Sequence, residues 1–203
     1  MDSVIGLVGK DYVLVATDTG SARSILRMKQ DEDKIVELDG HKIMGMAGPV
    51  GDRSQFGDYV QKNVKLYRLR NGITLGTHAT ANFVRGELAD ALRRAPYQVN
   101  VLLGGWDEEK GCSLYFIDYL AAMHKVNFST HGYAGYFVLS ILDKHWRKDM
   151  ELEEGLAVVR RCVEELRTRF IINSPDFVVK VVSKEGTKVV PLYEEDAKEK
   201  MKE

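Results

Sequence analysis

S-V-I-G-L-V-G-K-D-Y-V-L-V-A-T-D, residues 3–18, decides the fold. Two β-rich runs, 3–8 and 11–17, are separated by Gly9-Lys10, a break that suits a tight hairpin. Strands joined so closely are antiparallel, because parallel neighbours need a crossover of about a dozen residues or more. Val13 to Ala16 is apolar at successive positions, and so is Val99 to Leu103 further on. Such strands are covered on both faces. A second pair, K-I-V-E-L at 34–38 and H-K-I-M-G-M-A at 41–47, is joined by Asp39-Gly40, the strongest two-residue hairpin signal. Four strands are therefore expected before any helix.

The period then changes. Phe56, Val60, Val64 and Tyr67 recur at helical spacing, and Asp52 with Gln55 three residues on predicts the helix start, Asn71-Gly72 its end. A second helix is expected over about 77–95 on the stripe Ala81, Val84, Leu88, Ala91 and Ala95. Strands resume at 97–105, 112–120 and 124–128, helices at about 133–146 and 152–170, and strands at 177–182 and 187–192. Hairpin joins and helices arriving in pairs predict layers rather than alternating βαβ units. The expected fold class is α+β: a four-layer αββα sandwich of two mainly antiparallel sheets. One domain is expected over residues 1–192, followed by a charged tail, 193–203, whose default state is a frayed end.

Composition removes several classes of function. The chain has 203 residues, 44% of them hydrophobic, with 29 Lys plus Arg against 30 Asp plus Glu. A chain of this length buries roughly 70% of its unfolded surface, so a core forms without staples. A net charge of −1 supplies no field for an extended polyanion, and no nucleic-acid partner is expected. Cys112 and Cys162 form neither a C-x-x-C pair nor a disulfide framework, which points to a reducing compartment. No run of 18 apolar residues exists, and Asp2, Lys10, Asp11 and Asp18 break any signal-peptide pattern, so a soluble intracellular protein without a membrane partner is expected. His41, His78, His124, His131 and His145 lack metal-binding spacing, and no cofactor is expected. Gly45, Gly48 and Gly51 are spaced too widely for a dinucleotide fingerprint and have no following Lys-Ser/Thr; tight backbone passage is the expected reason for them.

A resemblance rests on longer motifs. D-Y-V-L-V-A-T-D at 11–18, K-I-V-E-L at 34–38 and G-M-A-G at 45–48 resemble proteasome β subunits, members of the N-terminal-nucleophile hydrolase superfamily. Q-K-N-V-K-L-Y-R-L-R-N-G at 61–72, P-Y-Q-V-N-V-L-L at 96–103, L-Y-F-I-D-Y-L-A-A at 114–122 and L-S-I-L-D at 139–143 are similar to the subunit type at the fourth position of the eukaryotic β ring. The resemblance implies the same sandwich over about residues 3–186.

It also implies what to look for at the site. Active relatives use an N-terminal threonine whose hydroxyl attacks the peptide while its own amine takes the proton. The corresponding slot holds Asp2, with Met1 ahead of it and no Gly-Thr junction, so self-processing is expected to have no substrate. Asp18 and Lys34 match the charged residues flanking that nucleophile, and Gly48 matches the glycine whose N–H stabilises the oxyanion. Where active relatives carry Ser-Gly and Asp-x-x-Ser, this chain has Tyr133-Ala134 and Phe170 with Asn173. No catalytic residue is therefore expected: Asp18, Lys34 and Gly48 are remnant positions, and Asp18 with Lys34 is expected to steady the first strands. The expected function is that of a non-catalytic structural β subunit. Its implied partners are two lateral β neighbours, the facing β ring and α-ring subunits, in cytoplasm and nucleus. The alternative is a hydrolase using another nucleophile, such as Ser3 or Cys112.

Overall fold

The computed structural model describes residues 2–23, 26–170 and 176–193. Met1, Asn173 and the tail from 194 to 203 lie outside the described residues. β1 (Ser3–Val8) and β2 (Tyr12–Asp18) form the hairpin, Val8 opposite Val13 and Val4 opposite Thr17. All seven residues of β2 are buried, because it is the middle strand of a sheet covered on both faces. Its other partner is β11 (Phe177–Ser183), which pairs in turn with β12 (Gly186–Val190). β10 (Phe128–Gly132) pairs with β1 and completes an antiparallel sheet of order β10-β1-β2-β11-β12. The second sheet has the order β5-β6-β7-β8-β9, from β5 (Ile35–Asp39), β6 (Lys42–Ala47), β7 (Asn100–Asp107), β8 (Gly111–Ile117) and β9 (Met123–Val126), again antiparallel throughout.

Three apolar clusters hold the layers together. Between the sheets lie Val4, Val13, Val15, Ile35, Ile43, Leu102 and Leu114. The sheets approach so closely that a Cβ on Gly45 would stand 2.7 Å from Val15 Cγ1. On the outer face of the second sheet, α1 (Val50–Asn71) and α2 (Thr77–Ala91) bury Phe56, Val60, Val84 and Leu88 against Met44, Val101 and Leu103. On the outer face of the first, α3 (Gly135–His145) and α4 (Leu152–Arg169) bury Val138, Leu142, Leu156 and Val159 against Ile5, Leu7 and Leu14. The expected αββα sandwich is thus the observed one, with four helices and two five-stranded sheets among the described residues.

Several local expectations need correction. A further two-stranded ladder, β3 (Ser21–Arg23) and β4 (Leu26–Lys29), makes six strands rather than four precede the first helix. Segments of three and four residues are too short to carry a period. The strand expected at 124–128 is two strands, because the chain passes from β9 in one sheet to β10 in the other at Asn127. A corner between packed sheets leaves the apolar pattern continuous while the pairing partner changes. Asp52 does not cap α1: the helix starts at Val50 after Pro49, and the Asp52 carboxylate accepts the Gln98 N–H at 3.0 Å. Helix α2 ends at Ala91, β7 begins at Asn100, and the other boundaries shift by a few residues.

Candidate functional site

The front of β1 projects Asp2 toward the junction between β6 and α1. Asp2 Oδ1 accepts from Lys34 Nζ at 2.7 Å, and Oδ2 accepts the Gly48 N–H at 2.8 Å. Lys34 precedes β5 and carries its ammonium wholly into the interior, with side-chain exposure of 0%. Its other two N–H bonds go to Asp18 Oδ2 at 2.8 Å and the Gly20 carbonyl at 2.7 Å, so all three donors are accepted. Asp18, at the end of β2, spends its second oxygen on the Ser3 N–H at 2.6 Å. The structure thus brings together every position named from the sequence at this end of the sandwich: Asp2, Asp18, Lys34 and Gly48.

Gly48 stands where only glycine fits. Its φ is +150°, and a Cβ there would run into the Gln98 carbonyl oxygen. The glycine run is therefore a matter of packing at Gly45 and Gly48. Gly132, at φ +78°, likewise passes against the Asp2 carbonyl, which accepts the Tyr133 N–H at 3.3 Å.

Arg53 was not legible as a site residue. It lies in the first turns of α1, is buried, and donates from Nε to the Gly48 carbonyl at 2.9 Å and from Nη2 to Glu32 Oε1 at 3.0 Å. Its Nε also stands 3.5 Å from Asp2 Oδ2. Adjacent Asp52-Arg53 in a helix start reads as a solvated charge pair; nothing in the local pattern separates the two.

Burial pushes the Asp2 carboxyl up, but Lys34, Arg53 and the Gly48 N–H together hold it below the usual carboxylate value. For Asp18 burial outweighs Lys34 and the Ser3 N–H, and its value is raised. Asp2 is therefore an ionised acceptor with both oxygens engaged. It has no O–H to surrender, and the N–H that would steady an oxyanion is already taken. Tyr133, at the serine position of the expected Ser-Gly pair, and Phe170, at the aspartate position of the expected Asp-x-x-Ser, stack their rings with centroids 6.0 Å apart. The cleft itself encloses about 950 Å³, with Met28, Ala47, Val50 and Tyr133 among its walls.

Other nucleophiles are poorly placed. Ser3 is buried, and its amide is engaged with Asp18. Burial pushes the Cys112 thiol up to about 11 and Cys162 up to about 12, away from the thiolate form. Among the described residues, no group of three or more His, Cys, Asp and Glu is arranged to hold a metal ion, and no helix is long and apolar enough to cross a membrane.

A sandwich of this order, with a lysine and an aspartate beneath the front of its first strand, defines a proteasome-type fold, and the family model for proteasome subunits matches residues 2–182. The chain belongs to that family, and so assembles with other proteasome subunits. It is 52% identical over 188 residues to proteasome subunit beta type-2-A of Arabidopsis thaliana, covering 93% of this chain and 92% of that one. It is 47% identical over 194 residues to proteasome subunit beta type-2 of Dictyostelium discoideum, covering 94% and 98%. It is 41% identical over 192 residues to proteasome subunit beta type-4 of Saccharomyces cerevisiae, covering 94% and 97%. The resemblance carried by the motifs thus extends along nearly the whole chain.

Proposed function

We propose that this chain is a non-catalytic β subunit of the proteasome core particle. It completes a seven-membered β ring at the fourth position, in cytoplasm and nucleus, between two lateral β neighbours, an α ring and the facing β ring. Its contribution is exclusion and positioning: a closed ring admits only unfolded chains to the neighbouring active subunits. The observation that carries the reading is Asp2, a carboxylate in the nucleophile slot fixed between Lys34 Nζ at 2.7 Å and the Gly48 N–H at 2.8 Å. The buried Ser3 amide and the raised Cys112 thiol support the same reading against the alternative nucleophiles. Two measurements on purified full chain test it. The chain is expected to release no fluorophore from peptide substrates above the buffer rate, and to co-sediment with a very large assembly when mixed with its partner subunits. Hydrolysis by the chain alone, or a stable monomer that joins nothing, overturns it.

A further inference from the structure

The groups that face Asp2 come from elements other than β1 and are held without it. Lys34 Nζ keeps Asp18 Oδ2 at 2.8 Å and the Gly20 carbonyl at 2.7 Å. Arg53 keeps the Gly48 carbonyl at 2.9 Å and Glu32 at 3.0 Å. Gly48, whose N–H points at Asp2 Oδ2, passes so close to the Gln98 carbonyl that a Cβ there would clash with it. Two buried cations and one backbone donor therefore surround the carboxylate of Asp2 on the floor of a cleft of about 950 Å³. We propose that this hollow is a carboxylate-binding site in its own right, that Asp2 is its tethered resident ligand, and that vacating it creates a site for a small monocarboxylate such as formate. The tether is expected to keep free anions out of the native hollow, because a covalently attached carboxylate acts at an effective concentration at least in the millimolar range.

Asp18 and Glu32 balance Lys34 and Arg53, so the vacated hollow carries no net charge and binds through directed hydrogen bonds. A ligand of three heavy atoms binds no tighter than roughly millimolar in such a site. From the proposed function the inference takes only that Asp2 is not a nucleophile. Peptide hydrolysis would sink that reading, an absent formate response would sink this one, and separate assays report them.

The test uses full-length Asp2→Gly chain titrated with sodium formate to about 100 mM, a concentration well above the expected dissociation constant. Ionic strength is held constant with chloride, and melting temperature is read. The expected result is a saturable rise of a few degrees that is absent from the unsubstituted chain. It is also absent from Asp2→Asn, whose amide still fills the hollow, and from Asp2→Gly combined with Lys34→Met. If Asp2→Gly does not fold in chloride, refolding yield against formate is read instead, and formate-dependent recovery supports the proposal. Equal shifts in the unsubstituted chain, or neither stabilisation nor recovery at any formate concentration, overturn it.

Discussion

Lys34 carries its ammonium into the interior with two carboxylates and one carbonyl accepting its three N–H bonds. Lys34→Met preserves most of the volume but leaves Asp2 and Asp18 facing each other without their shared cation. Breaking a buried ion pair from one side costs about 3–5 kcal/mol, a large part of the whole stability of a domain. Urea denaturation of the Lys34→Met chain should show a loss of that size, and a loss below about 1 kcal/mol would mean that the network is not holding the first strand. Asp18, Lys34 and Gly48 were legible through the resemblance, as positions in a known motif. Arg53, Lys42 and Lys180 were not, although all three are buried. Lys42 pairs with Asp39 at 2.9 Å, and Lys180 with Asp33 at 2.7 Å, each contact made by a long side chain whose partner the residue type alone does not name.

At the scale of the elements, the two sheets are tied by directed bonds as well as by apolar packing. His131 on β10 donates from Nε2 to the Val101 carbonyl of β7 at 3.0 Å and stacks on Phe116 of β8 with ring centroids 4.1 Å apart. Burial lowers its pKa from 6.5 to about 4. Between those values the unfolded chain binds a proton that the folded chain refuses. The stabilisation is therefore complete above pH 6.5 and is lost as pH falls toward about 4, by up to about 1.4 kcal/mol per pH unit and about 3 kcal/mol in all. Stability measured from pH 7 to 4.5 should fall more steeply for the native chain than for His131→Asn, and parallel curves would contradict the assignment. The junction of β6 with α1 makes a second test. Gly48→Ala forces a Cβ onto the Gln98 carbonyl at an unfavourable φ and should cost about 1–3 kcal/mol, read as a lowered denaturation midpoint at unchanged slope. The hairpins were legible because Gly9-Lys10 and Asp39-Gly40 mark turns locally. The passage of the chain from one sheet to the other at Asn127 was not, since pairing partners are a non-local property.

Across the whole molecule, the layer order followed from helices arriving in pairs between blocks of strands, and the three apolar clusters realise it. Large apolar side chains nevertheless remain open to solvent, Leu69 at 81% and Tyr136 at 87% exposure among them. On a chain of near-zero net charge such surface favours association over solitary existence, in keeping with a family whose members assemble. Which neighbour covers which face is not encoded in any local pattern, because an interface is a property of two surfaces. Membership of the particle and the proposed lack of a nucleophile meet in one experiment. The assembled particle is purified, treated with an N-terminal-threonine-directed covalent inhibitor, and the intact mass of every subunit is recorded. This chain is expected among the subunits at its unmodified mass while its active neighbours carry the adduct; an adduct on this chain, or its absence from the particle, would contradict the proposed function.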